Sequence, residues 1–411
     1  MSSRDALTNA PPALSAAGPD TLLSRAFVLV WLYSALTTMA WGTLLPVVPL
    51  YVRGPLDGGD IAVGAVMSAA VLVAALAQPL LGRAADRRGR RVLLVGGPLT
   101  FSAFVLLFTI VDSPTQLFGL RTAAEIGEAA FVIGAITVVN DLAPDDRRGE
   151  AYNIYSLSTW AGVGLGPVLG DFVLRASSFT AVWVVSGALS LAGAAVAVLL
   201  PETRRRTREP VSRSGMFSRS AIVPGSILAF EMFALAAVFV FSSLYARELG
   251  MAGAGLVLLT NAAVLVSIRI LGRRLPDRLG VRRAATIGVF FAVTGAALPA
   301  IYPHPIGLYL GAASFGVGHA FLYPALFMLA VGRTPEDERS AALGSLKAFE
   351  AIGFAAAAAL LGVTASLVGY RGAFGLAAVV TSLGFVPLLY AWRRGILDPI
   401  SPQTGQMASP I

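Results

Sequence analysis

Twelve apolar runs, each about as long as a bilayer is thick, constrain this chain more than any other feature. They lie near residues 26–50, 61–81, 92–111, 117–140, 152–174, 179–200, 221–245, 254–271, 284–302, 306–331, 341–366 and 373–392. A helix rises about 1.5 Å per residue, so roughly 20 apolar residues cross about 30 Å of hydrocarbon. In lipid every backbone N–H and C=O must be bonded internally, which a helix achieves within one segment. The expected fold is an all-α membrane protein with twelve transmembrane helices. Composition agrees: 13% of the 411 residues are charged and 56% are apolar, too few polar side chains to coat a water-facing surface. Residues 1–24, rich in Ala, Pro and Ser, lack the apolar core of a signal peptide; they and residues 395–411 read as disordered tails.

Direction follows from the basic residues, which cytoplasmic loops retain. With the N-terminus inside, 24 of the 31 Lys and Arg fall in cytoplasmic segments, and the outer loops keep Arg53, Arg175, Arg247 and Arg371. Both termini are therefore expected in the cytoplasm, with the chain multi-pass in a bacterial inner membrane. The net charge of +8 is placed by topology, so no nucleic-acid partner is expected. With no Cys, and with His304 and His319 too far apart for a local metal motif, no metal site is expected. No Gly-Lys-Ser/Thr loop occurs, so neither a nucleotide nor any other cofactor is expected.

The chain repeats itself at an offset of 191 residues. Asp86-Arg87, Gly89 and Arg91 fall on Asp277-Arg278, Gly280 and Arg282. The same register pairs Pro114 with Pro305, Gly127 with Gly318, Pro144 with Pro335, Arg148 with Arg339 and Gly162 with Gly353. Duplicated six-helix bundles follow, over residues 25–200 and 221–394, joined by a basic cytoplasmic linker at 201–220. Transporters use such repeats as two halves that rock about a central site.

Two motifs carry a family resemblance. Gly82-Arg83-Ala84-Ala85-Asp86-Arg87-Arg88-Gly89-Arg90-Arg91, between spans two and three, resembles the G-x-L-A-D-R-x-G-R-R signature of the major facilitator superfamily, with Ala84 in place of Leu. Span five carries Gly162, Gly166, Pro167 and Gly170, similar to the G-x-x-x-G-P-x-x-G signature of that superfamily's drug/proton antiporters, with Asp171 where the family has its last Gly. Leu120-Arg121 matches the family's membrane Arg, but Ala124-Glu125 replaces the Gln-Gly that follows. With Arg147–Ala151 and Pro201-Glu202-Thr203, the chain resembles bacterial exporters of the arabinose-efflux-permease type. The resemblance implies two pseudo-symmetric bundles and a cavity lined by spans one, four, seven and ten. From the residues themselves, Asp86 can accept bonds from neighbouring Arg or from a helix start and so lock the cytoplasmic face; Gly82, Arg87, Gly89, Arg90, Asp277 and Arg278 complete this gate. The alternative is that the Arg cluster only anchors topology. The span-five glycines permit close packing and Pro167 a bend, with lipid-helix packing alone as the rival reading.

Charges inside spans cost roughly 3 kcal/mol or more each, so each is a functional candidate. Arg121, Glu125 and Glu128 fall within about 60° on one face of span four. Glu128, near mid-span, is the leading proton carrier, with Glu125, Glu231 and His319 as further candidates. The repeat sets His319 at the position equivalent to Glu128, so the two are expected to face each other. Arg121 with Glu125, and Lys347 with Glu350, also read as neutralising pairs, the second as a structural ion pair. Arg269 is expected to snorkel to the cytoplasmic edge and Asp171 to reach outer water. Tyr33, Thr37 and Trp41 recur at every fourth residue of span one, and with Arg121 and Tyr323 they are candidate substrate-cavity residues, plain core packing being the rival.

The expected protein is a monomeric secondary transporter that exports a small amphipathic molecule in exchange for protons. The rivals are a proton-coupled importer of a sugar or other metabolite, a non-transporting sensor or scaffold, and an intramembrane enzyme. Charged mid-span residues argue against the scaffold, and the lack of a nucleophile–base or metal constellation argues against the enzyme.

Overall fold

The computed structural model describes residues 24–144, 147–203, 218–272, 275–332, 334 and 338–395, without the side chains of residues 86, 275–278 and 340. Most of both expected tails, linker residues 204–217 and the side chains of Asp86, Asp277 and Arg278 thus lie outside the described residues. Described residues form helices and no strand: α1 (Arg25–Arg53), α2 (Asp60–Arg88), α3 (Arg91–Leu106), α4 (Pro114–Leu142), α5 (Arg148–Ala176), α6 (Phe179–Val198), α7 (Ile222–Ala236), α8 (Ser242–Glu248), α9 (Gly255–Leu271), α10 (Leu275–Ile301), α11 (Pro305–Gly332), α12 (Arg339–Ser382) and α13 (Phe385–Arg393). Ten helical stretches among the described residues are long and apolar enough to cross a membrane, and Gly255–Leu271 is a shorter apolar helix.

The helices mostly outlast the apolar runs, and at three of them a serine satisfies one of the free backbone groups at the start. Ser24, Ser113 and Ser178 cap α1, α4 and α6 by accepting from Phe27, Gln116 and Ala181 N–H. Three details depart from the run pattern. The expected loop near 367–372 is a single inversion at Gly369, where φ is +75°, a conformation suited to a residue without Cβ. Span twelve breaks again at 383–384, between α12 and α13. A π-helical turn, Ala237–Phe241, links α7 to α8; such wide turns recur near functional sites.

The contacts fix two ends. At one, here the basic end, lie Arg87, Arg88, Arg90, Arg91, Arg147, Arg148, Arg339 and Arg393. At the other, the far end, Tyr51 donates to Val111 O and Arg53 lies 3.3 Å from Asp60. Leu76, Leu80, Ile110, Leu271 and Leu367 are more than half exposed, the apolar belt that lipid would cover. Arg219–Glu248 is the exception: 83% of its most apolar window is buried, so this helix runs through the interior and brings Glu231 there.

Small residues set the crossings. A Cβ on Gly127 of α4 would come within 2.6 Å of Phe101 N on α3, and 191 residues on, one on Gly318 of α11 would come equally close to Ala292 N on α10. At the far end α2 meets α12 and α5 meets α9. A Cβ on Gly362 would sit 2.6 Å from Asp60 O, and one on Gly255 the same distance from Pro167 O.

Candidate functional site

At mid-depth the helices turn charged groups inward. In α4, Arg121 and Glu125 are almost fully buried and paired one turn apart, Nη1 to Oε2. Trp41 of α1 donates its indole N–H to the other oxygen, Oε1, at 3.3 Å. Burying this acid and base together avoids leaving either charge uncompensated. Glu128, one turn further along the same face, makes no hydrogen bond or ion pair with any described residue; its electrostatic neighbours include Glu125, Arg121, Lys347 of α12 and Tyr155 of α5.

His319 does not face Glu128, as the repeat register suggested. Its Nδ1 lies 2.8 Å from Glu231 Oε1 on α7, and both side chains are buried. The repeat fixes depth along α11, but the interior helix α7 intervenes with a carboxylate of its own. Glu231 Oε2 is buried with no hydrogen-bond partner. Around His319 stand Trp160 of α5 at 5.7 Å, and Phe315 and Tyr323 of α11 at 5.8 and 5.4 Å between ring centroids.

Lys347 Nζ lies 2.8 Å from Glu350 Oε2 on α12 and 5.2 Å from the ring centre of Tyr323 on α11. Its side chain is half exposed although it faces another helix, so open space adjoins it. This is a cleft between helices rather than the lipid environment assumed from sequence. Arg269 of α9 also turns inward instead of snorkelling. Its guanidinium stands 5.7 Å from the Trp160 ring centre and 3.4 Å from Ser156 Oγ, while its Nε is buried and unbonded. Lys347 is the sole lysine among 31 basic residues. A chain that otherwise carries basic charge on Arg thus places its one compact ammonium in the cleft, a signal legible in the sequence yet not used.

The other candidates divide. Thr37 is not a cavity residue: its hydroxyl donates to Tyr33 O at 2.9 Å and its methyl packs on Gly193 of α6. Tyr33 is fully buried with its hydroxyl unbonded. Gly162, Gly166 and Gly170 pack α5 on α1, the Pro167 ring lies beside Gly42 of α1 with its carbonyl toward Gly255 of α9, and Asp171 turns to α9. Asp171 is buried rather than water-reaching, its Oδ2 accepting from Gly255 N–H. Gly82 and Arg87 lie within the last two turns of α2, and nothing stands within 4 Å of where a Cβ on Gly82 would be. Gly89, at φ +96°, lies against Glu202, whose carboxylate accepts from Arg90 and Arg91 N–H at 2.9 and 3.2 Å and so caps α3. Arg90 Nε approaches Asp141 of α4 at 3.4 Å, and Thr203 Oγ1 donates to the same carboxylate at 2.9 Å. These bonds clasp α3, α4 and the end of α6 together. The Pro-Glu-Thr that follows span six thereby acquires a structural task that the sequence did not reveal. Among the described residues no group of three or more acids and His could hold a metal.

A model of the Major Facilitator Superfamily matches residues 30–298 and 226–408. An uncharacterized MFS-type transporter of Salmonella typhimurium is 26% identical over 354 residues, covering 84% of this chain and 90% of that protein. Among solved structures, a bacterial homolog of the human lysosomal transporter Spinster, inward-facing and unoccupied, superposes with a TM-score of 0.79 at 15% identity, over 94% of this chain and 100% of that one. The nucleoside transporter NupG gives 0.71 at 15% identity, over 89% and 99%. At such identities the structures share the fold alone. The family match extends over nearly the whole chain, and the chain belongs to the major facilitator superfamily, whose members are membrane transporters and not enzymes.

Proposed function

We propose that this protein is a proton-coupled secondary carrier with twelve membrane crossings in two six-helix bundles, residues 25–200 and 221–394, rocking about the central cleft. Its basic end faces the cytoplasm, because that side retains Lys and Arg. Packing at the far end and the half-exposed Lys347 correspond to a cleft open to the cytoplasm. The observation that carries the reading is Glu128, an acid midway along α4 with no bonding partner among the described residues, beside a cleft that rocking exposes to each side in turn. Desolvation favours its neutral form and water its charged form, so each half-cycle can move one proton. The His319–Glu231 pair is a second acid–base site at similar depth. The gate at Asp86 and Asp277 remains part of this proposal. The bundle is a monomer in the inner membrane.

Export of a small amphipathic molecule is the leading direction, on the glycines and Pro167 of α5. Import has one observation of its own. Glu128 is an electrostatic neighbour of Lys347, and protonating it leaves the cleft's cations in excess, which favours taking up an anion together with the proton. The test is flux of a substrate identified by thermal shift, in liposomes of known protein orientation. Glu128→Gln should reduce proton-driven flux at least about 100-fold while retaining exchange at zero gradient. Full proton-driven flux by that variant would remove Glu128 from the mechanism, and the direction of accumulation decides between export and import.

A further inference from the structure

The proton cycle uses Glu128 and leaves the cations of the cleft without a task. Arg121 is matched by Glu125 and Lys347 by Glu350, but Arg269 has no carboxylate partner among the described residues. Its Nη1 reaches only Ser156 Oγ and its Nε is buried without a bond. A half-buried guanidinium without a counter-ion is costly, and its planar fork fits a carboxylate or phosphate. Tyr323 joins Arg269 to Lys347: the ammonium stands over its ring, and Tyr323 and Tyr152 are both electrostatic neighbours of Arg269. The acids around this space are already engaged or set off from Arg269: Glu350 is held by Lys347, Glu231 by His319, whose ring packs on Trp160 and Tyr323, and Glu128 is an electrostatic neighbour of Lys347. Trp160, Tyr152 and Tyr323 add flat apolar faces to the same wall, the other half of what an amphipathic molecule needs.

We infer that the cleft binds an amphipathic organic anion, its carboxylate or phosphate held by Arg269 with Lys347 and its apolar ring packed against Trp160 and Tyr323. The inference deepens the carrier reading but does not depend on proton coupling or direction.

Because Lys347 is the sole lysine, its acylation reports on this site in the unaltered protein. Purified full-length protein in nanodiscs is treated with an N-hydroxysuccinimide ester, and the modified fraction of Lys347 is read by peptide mass spectrometry. The probes are 1-naphthoate, 1-naphthyl phosphate and, with the same ring and opposite charge, 1-naphthylmethylammonium. At four times its Kd, a bound anion should slow labelling about five-fold, while the ammonium leaves it unchanged. The anion that protects should also raise Tm, and that shift should disappear in Arg269→Gln and survive in part in Arg269→Lys. Protection by either anionic probe supports the site. Equal protection by the ammonium, no protection by either anion, or an undiminished Tm shift in Arg269→Gln would overturn it. The labelling needs no variant and no gradient, so a carrier that failed the Glu128 flux test would still give a clear answer here.

Discussion

The crossing of α2 with α12 and that of α5 with α9 stand 191 residues apart in the repeat, and they close the far end by different polar contacts. Both rest on glycine: Gly64 lies against Ala358 and Gly362, and Gly255 against Pro167 and Asp171, the matching positions. At the first, Asp60 accepts from the Tyr370 hydroxyl at 2.8 Å and meets Arg53, so the closure joins side chains. At the second, Asp171 bonds the backbone N–H of Gly255 at the start of α9, a partner that no substitution short of proline removes. Steric fit is thus the part the two halves hold in common, and the polar closure is the part in which they have diverged. The same split recurs at mid-depth, where the unpartnered Glu128 matches a His319 already engaged by Glu231.

The largest effect should come from the shared steric part. Gly362→Leu drives a side chain into the backbone of α2, where neither helix can yield cheaply. Flux should fall about 100-fold, with the far end held open. The chain has no Cys, so spin labels on Asp112→Cys and Val368→Cys would read that opening without background. An unchanged distance together with full flux would show that the crossing does not gate.

Next in size is the buried pair of the first half. Glu125→Gln leaves Arg121 buried with no matched charge, and breaking such a pair costs roughly 3–5 kcal/mol. A large fall in Tm of the purified protein is expected. A small one would mean that Glu128, one turn away, takes over as counter-ion.

What could be read in advance follows from what spacing encodes. Apolar run length gives each helix and its depth, which is why Glu128 and His319 come out at the middle of α4 and α11. The 191-residue register gives the glycine crossings, Gly127 with Gly318 among them. Partner choice depends on how each helix is rotated against its neighbours, and no spacing within one helix contains that. So Glu231 took His319 from Glu128, Thr37 turned to α6, and Asp171 went to α9 rather than to water. Short-range pairs were legible where both members share a helix, as Arg121–Glu125 and Lys347–Glu350 do. The Glu202 cap on α3 joins positions more than 100 residues apart and was not.

A smaller effect separates the two closures directly. Asp171→Ala removes the acceptor for the Gly255 N–H at a helix start, a loss of about 1–2 kcal/mol that shifts the balance of the two states roughly ten-fold toward far-end opening. Tyr370→Phe removes one side-chain bond, about 1 kcal/mol, and should shift it about five-fold. Asp171→Asn keeps an acceptor and should fall between wild type and Asp171→Ala. The label pair at 112 and 368 ranks all three. Should Tyr370→Phe open the far end more than Asp171→Ala, the side-chain closure would be the dominant one and the comparison would be reversed.

The smallest effect is expected at the second ion pair. Had Lys347 and Glu350 faced lipid, Glu350→Gln would strand an ammonium in hydrocarbon and the protein would be lost from the membrane. Lys347 is instead half exposed in the cleft, and Glu350 is 31% exposed. A solvent-screened pair is worth less than about 1 kcal/mol, and once freed the ammonium can turn to water or to the Tyr323 ring. Glu350→Gln should therefore purify at normal yield with a Tm within a few degrees of wild type, in contrast to Glu125→Gln. Its effect should appear in labelling: freed from the 2.8 Å bond to its carboxylate partner, the Lys347 amine is acylated faster. A large loss of Tm in Glu350→Gln would place this pair in a dry environment and close the cleft on which the anion site depends.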